Sequence, residues 1–402
     1  MRTLILSVLL SGFVLGAVHA DPAMANQVRQ LDCSAIRGAN YCAAGGHHLE
    51  HWLNYSPAET RRDLGYAKKI GINQVRVFLS YAAYQANPAA FRHNLTDLAH
   101  ACREMGIGLM PVAMTKSEMF QEPAPHPRAR EWVQMLLDTI GREPALACWD
   151  AYNEPDYPED SKLASHVADA RVMAELFRQL DSRHPRTPVT IGFAFEKYME
   201  QNADAVDVLS FHDYSPTREQ VHDNILAALR FSKQVRMPVV NTEMGCTARA
   251  NPYDMAIEEY TNAHVGFYIW ELMITRYWGN VHGVFYPDGS VRDPSIAAAM
   301  LGLFRNRSDH VVPEFPDREG WVSRTVASGR TWLGTPKAPY DDGLRIAEIA
   351  ANLLEANQLV AMHDLPSRRV LLLRQGAPDP AALRALLSDF LKALEPYERP
   401  QH

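Results

Sequence analysis

From residue 36 to about residue 305, short apolar runs rich in β-branched residues alternate with longer stretches of helical periodicity. The runs are Ile36–Asn40, Asn73–Phe78, Gly108–Ala113, Ala147–Asn153, Val189–Gly192, Val206–Phe211, Val239–Glu243 and Gly266–Glu271. Between them, apolar positions recur at three- and four-residue spacing over Pro57–Ile70, Asn94–Met105, Ala129–Ile140, Leu163–Leu180 and Arg218–Val235. Several of these stretches begin at Ser, Thr, Asn or Pro, and Gly71 and Gly106 stand where a helix end wants a left-handed residue. Strand and helix repeat eight times over roughly 270 residues, which predicts an α/β fold of the (β/α)8 barrel type rather than an open doubly wound sheet. No Gly-x-Gly-x-x-Gly follows the first strand, and Gly38 and the Gly45-Gly46 pair are too scattered to cradle a dinucleotide.

The repeat stops on both sides of residues 31–305. Met1-Arg2, an apolar stretch from Leu4 to Val18, and the small residues of Val18-His19-Ala20 predict a signal peptide over residues 1–20, and hence a secreted or periplasmic protein. That stretch is too short to span a bilayer, and no later one reaches the length needed. Residues 306–402 read as a mainly helical extension, a small α-rich appendage. In it, Arg305 to Gly334 is loop-like, with Pro313, Pro316, Gly320 and Gly329. Asp341–Asn357 and Pro380–Leu394 then read as amphipathic helices on either side of a short apolar run, Val370–Leu373.

Composition narrows the partners. A hydrophobic fraction of 47% with 22% charged residues is ordinary for a globular protein. The net charge of -7 leaves no basic stripe for phosphates, which argues against nucleic acid and suits a neutral saccharide. Cys33, Cys42, Cys102, Cys148 and Cys246 form neither a disulfide framework nor a zinc pattern. Cys33 and Cys42 can pair in an oxidising compartment, whereas Cys102 and Cys148 lie in apolar runs as buried thiols.

Reactive side chains of such a barrel project from the C-terminal ends of its strands. Those ends carry Arg76, Asn153-Glu154-Pro155, His212-Asp213-Tyr214, Glu243 and Trp270-Glu271. Two glutamates held at strand mouths are the acid/base and nucleophile pair that a retaining glycosidase needs. The nucleophile requires a cation and hydrogen-bond donors, which Arg76 and Tyr214 can supply. The acid must stay protonated, which partial burial and repulsion by the other carboxylate favour. Trp270 offers an apolar face for a pyranose ring. Each residue also has a plain structural reading: Glu154 as a helix-entry residue, Glu243 as a turn acid, Arg76 as an ordinary ion-pair partner, and His212, Tyr214 and Trp270 as core or rim. Asp150 and Asp156 flank the acid/base as structural residues.

Taken together, these strand ends resemble clan A glycoside hydrolases, most closely family 5, the cellulase and mannanase family, over about residues 36–305. The resemblance implies Glu154 as general acid/base, Glu243 as nucleophile, Asn153 at the sugar 2-hydroxyl and Arg76 orienting Glu243. It also implies His212 and Tyr214 as the family's His-x-Tyr and Trp270 as its stacking platform. One departure stands at the third strand, where the family usually carries a histidine and this chain reads Pro111-Val112-Ala113-Met114-Thr115. The implied activity is retaining hydrolysis of a β-linked poly- or oligosaccharide, with no cofactor. A catalytically silent carbohydrate-binding barrel is the alternative. The cluster His47-His48-x-x-His51 suggests a metal-dependent hydrolase instead, but adjacent histidines are expected to diverge, so no metal is assigned and His48 is taken as a substrate contact.

Overall fold

The computed structural model describes residues 27–120, 124–275, 282–304, 320–356, 359 and 365–398. The expected signal peptide lies outside them. The chain divides into two compact units, Met1–Arg305 and Asn306–His402. No helix among the described residues is long and apolar enough to cross a membrane.

In the first unit, β1 (Arg37–Asn40), β2 (Gln74–Phe78), β3 (Gly108–Val112), β4 (Trp149–Asn153), β5 (Val189–Phe193), β6 (Leu209–Asp213), β7 (Val239–Met244) and β8 (Gly266–Ile269) pair in parallel in chain order. β8 pairs back onto β1, closing the barrel. The predicted α/β architecture is therefore the one observed. The enclosing helices begin where the sequence provides caps. Ser56 Oγ accepts from Glu59 N ahead of Pro57–Lys69, Asn87 Oδ1 accepts from Ala90 N ahead of Pro88–Met105, and Thr217 Oγ1 accepts from Gln220 N ahead of Arg218–Val235. Gly106 ends the second of these at φ 67°, a conformation that glycine adopts without a steric penalty.

Side chains two residues apart on a strand face the same way, so the barrel interior fills in layers. Near the strand starts the layer is apolar: Met110, Cys148, Val208, Val240 and Tyr268. A Cβ on Gly38 would overlap the Tyr268 ring, so the glycine makes room for it. One step higher the layer turns polar, with Arg76, Asp150, Ser210 and Thr242 all buried. The step above that is the rim.

The second unit is a helical cluster, Trp321–Gly334, Tyr340–Ala356, Pro366–Gln375 and Pro380–Leu394, around Val326, Trp332, Leu344, Leu354 and Leu387. Two readings of the sequence are corrected here. Trp321–Gly334 is a helix, because Val322, Thr325, Val326, Gly329 and Trp332 form one buried stripe. Gly329 marks a close helix approach rather than a loop, since a Cβ there would lie 2.6 Å from Leu391 Cδ1. Val370–Leu373 belongs to the helix Pro366–Gln375, with Val370 buried and Leu371 and Leu372 exposed. All five cysteines are buried free thiols, so Cys33 and Cys42 are not paired.

Candidate active site

Both glutamates reach the rim through breaks in strand regularity. Between β6 and β7 the pairing steps from Phe211↔Asn241 to His212↔Glu243, so β7 carries one extra residue there. Thr242 faces the interior, where its Oγ1 lies 2.9 Å from Ser210 Oγ. Strict alternation would then turn Glu243 outward, and the bulge brings it inward as well. The β4–β5 register shifts in the same way between Asp150 and Asn153. Glu154 follows at φ 50°, a left-handed position that is unusual for a residue with a Cβ, and its N–H donates to Gly192 O at 2.6 Å. Backbone strain of this kind gathers where a side chain must be aimed.

Beneath the glutamates, the fully buried Arg76 guanidinium donates to four side chains. Its Nε reaches Asp150 Oδ2 at 2.9 Å, Nη1 reaches Asn40 Oδ1 at 2.9 Å and Glu243 Oε1 at 2.6 Å, and Nη2 reaches Asn153 Oδ1 at 2.7 Å. Tyr214 Oη donates to the other Glu243 oxygen at 2.8 Å. Both Glu243 oxygens thus meet strong donors. Burial, with Glu243 beside it, pushes the Tyr214 hydroxyl up, so it remains a donor.

Glu154 is set differently. His212 Nδ1 lies 2.8 Å from Glu154 Oε1 and 3.6 Å from Glu243 Oε2. Burial lowers His212 to about 4, leaving a neutral imidazole. Burial also raises the Glu154 carboxyl, against the opposing pull of Arg249 and then Arg76. Of the two causes expected from sequence, burial and like-charge repulsion, it is therefore burial that raises it. One oxygen of Glu154, one of Glu243 and a ring nitrogen of His212 lie within 4.8 Å of one another. That trio has the residue types of a metal site, but Arg76 already supplies the cation beside Glu243. The Glu154 side chain keeps 22% of its surface and Glu243 only 7%, so the acid is the more accessible of the two.

The cleft above them encloses about 290 Å³ and is lined by His47, His48, Phe78, Tyr214, Arg249 and Trp270 besides the glutamates and Asn153. Asn153, Glu154, Tyr214, Glu243 and Trp270, with Arg76 and His212 bonded beneath them, therefore meet in one place, together with His48, whereas Asp213 and Glu271 do not line it. The histidines, however, do not diverge as expected. His47 and His48 stack at 4.0 Å, and His48 stacks in turn on Phe78 at 4.8 Å. The turn through Gly45-Gly46 and the φ of 45° at His48 allow this. His51 is buried apart from them, its Nδ1 accepting from Ala43 N at 3.1 Å. Trp270 is half-buried and meets Phe78 edge-on at 5.6 Å.

The sequence reading missed Asn40 and Asp150 as supports of Arg76, although both face inward by strand parity. It also missed Arg249, whose guanidinium lies 4.6 Å over the Tyr214 ring, and His282, because both lie beyond the strand ends, Arg249 in the short 3-10 turn Thr247–Arg249. Asp156, taken as structural, accepts from Ala194 N and Phe195 N, and burial pushes its carboxyl up to about 6.

No protein-family model matches the chain, and no curated protein does. Solved structures do match. An exo-beta-1,4-mannosidase from Opitutaceae bacterium strain TAV5 gives a TM-score of 0.54 at 18% identity, over 75% of this chain and 68% of that one. A GH5_18 protein from Streptomyces cattleya in complex with Manb1-4GlcNAc gives 0.54 at 18% identity, over 69% and 83%. A GH5-4 broad specificity endoglucanase from Ruminococcus champanellensis with bound cellotriose gives 0.53 at 12% identity, over 69% and 100%. At such identities the likeness establishes a shared barrel fold.

Proposed function

We propose that this chain is an exported, retaining β-glycoside hydrolase of the family 5 type, acting on a β-linked glucan, mannan or related saccharide. The observation that carries the reading is the approach of the two carboxylates. One oxygen of Glu154 lies within 4.8 Å of one oxygen of Glu243, an approach that suits the carboxyl separation of about 5–5.5 Å in retaining enzymes better than the about 6.5–9.5 Å in inverting ones. The signal-like residues 1–20 support export, and the barrel likeness to known glycoside hydrolases supports the reaction class.

In the first step a Glu243 oxygen attacks the anomeric carbon as the bond to the leaving oxygen breaks, and Glu154 gives that oxygen its proton. Water then attacks the glycosyl ester, gives a proton to Glu154 and frees Glu243. Asn153 Oδ1 is occupied by Arg76, which leaves its amide N–H groups for the sugar 2-hydroxyl. Trp270, with Phe78 against its edge, supplies the apolar platform.

A 2-fluoro glycoside series with mass spectrometry tests the assignment. The label should appear on Glu243, and the first-formed product should keep its anomeric configuration by NMR. Glu154→Ala should lose about 10²–10⁴-fold on a substrate with a poor leaving group, and much less in the first step with a dinitrophenyl leaving group. A label on another residue, or an inverted first product, refutes the proposal.

A further inference from the structure

A second cluster, unused by the proposed hydrolysis, lies at the seam between β8 and β1. Cys42 and His47 stand on the loop that follows β1, and Glu271 follows Trp270 at the end of β8. A thiol sulfur, an imidazole nitrogen and a carboxylate oxygen from these three lie within 4.8 Å of one another. Cys42 and Glu271 are only 2% and 1% exposed. Thr275 Oγ1 donates to Glu271 Oε1 at 3.1 Å, but Oε2 is buried with no partner. A buried oxygen without a donor costs about 1–3 kcal/mol. A thiol is too weak a donor to offset that.

We infer that Cys42, His47 and Glu271 bind a divalent ion of the zinc type. A thiolate, an imidazole and a carboxylate together favour such an ion over magnesium or calcium, which take oxygen ligands. Bonds of about 2.0–2.3 Å in a tetrahedron place ligand atoms roughly 3.3–3.8 Å apart, so the three atoms, within 4.8 Å of one another, close by at most about 1.5 Å. The fourth position goes to water. Thr275 fixes the carboxylate from outside, as partners of metal ligands commonly do. On binding, the Cys42 thiol releases its proton to solvent, as does the Glu271 carboxyl where it holds one. The ion ties the loop after β1 to β8 and steadies the His47–His48 stack, where His47 meets Trp270 edge-on at 6.1 Å.

The test uses the full chain, stripped with a chelator and titrated with Zn²⁺ or Co²⁺ alone. About one ion per chain should bind, and the Co²⁺ form should show a thiolate-to-cobalt charge-transfer band in the near ultraviolet. Cys42→Ser should abolish the band and weaken Zn²⁺ binding by at least about 100-fold, and Glu271→Gln should weaken it by at least about tenfold while keeping the band. Folded wild-type protein that takes up Co²⁺ without the band, or takes up none, overturns the inference whether or not the variants fold. A Cys42→Ser protein that binds Zn²⁺ as tightly as wild type overturns it equally.

Discussion

Replacing Arg76 by lysine keeps the charge beneath the glutamates but removes the planar fork that distributes it. In the native site the guanidinium reaches Asp150, Asn40, Glu243 and Asn153 from three nitrogens. A single ammonium has three protons at one point and cannot reach acceptors spread around the barrel axis. At least two of the four should lose their donor. A hydrogen bond to a charged group is worth about 1.5–3 kcal/mol, so the sum is about 3–6 kcal/mol. Retained Coulomb attraction points to the lower end, about 3 kcal/mol. Activity should suffer separately, because Glu243 would keep Tyr214 but lose its 2.6 Å partner. A misplacement approaching an ångström costs about 10²-fold, falling on kcat rather than KM. Urea unfolding and steady-state kinetics on the best activated β-glycoside measure the two effects. An Arg76→Lys protein with kcat within about threefold of wild type and an unchanged urea midpoint would refute the orienting role. Arg76→Met should be worse, at about 3–5 kcal/mol of stability, since it leaves buried carboxylates without a cation.

Three further outcomes follow from the same geometry. A Cβ on Gly192 would lie 3.0 Å from both Arg76 Nη2 and Asp150 Oδ2 and 3.1 Å from His212 Nε2, so Gly192→Ala should lower kcat about tenfold with the circular dichroism spectrum intact; unchanged kinetics would mean that this floor can yield freely. Burial lowers His51 from 6.5 to about 4, so the stability gained from a neutral ring is complete above about 6.5 and lost as pH falls through about 4, a difference of about 3 kcal/mol. The urea midpoint of wild type should therefore drop on acidification by more than that of His51→Gln, and parallel pH profiles would remove His51 as a cause. In the helical unit, Gly343→Ala gains about 1 kcal/mol of helix propensity but drives a methyl into the Trp332 indole, whose Nε1–H is fixed on Pro339 O at 2.8 Å. Overpacking costs about 1–3 kcal/mol and should prevail, so a rise in the unfolding temperature of this unit would contradict the packing described.

The barrel was legible because each strand is a short apolar run between turn residues, and because Ser56 and Thr217 mark helix starts by their chemistry; the helix Pro88–Met105, capped by Asn87, starts before the Asn94 that the periodicity suggests. The positions of Glu154, Glu243, Arg76, His212 and Tyr214 followed from one rule, that barrel chemistry sits at strand ends. What the rule could not supply was the aim of each side chain. Period-two reasoning places Thr242 and Glu243 on opposite faces, and nothing in Val239–Met244 announces the bulge that reconciles them. Asp150 is legible as a structural residue beside the acid/base, but its partner Arg76 follows only from parity, which puts both on one face. Gly329 was misread because a glycine that admits a neighbouring leucine and one that breaks a helix look alike in sequence.

The arrangement explains how two chemically identical acids acquire different roles. Arg76, with Asp150 behind it, and Tyr214 converge on Glu243, so that end of the pair is built around a negative charge. Among the described residues, the Glu154 carboxyl has only a neutral His212 at hydrogen-bond distance, and it is lifted by desolvation. Ionising Glu154 would place a charge in a cleft of about 290 Å³ with aromatic walls, where burial disfavours it. The proton needed by the leaving group is thus held on Glu154 by burial, against the pull of Arg249 and Arg76, while Arg76 bonds only Glu243 of the pair and so orients that acid as the nucleophile.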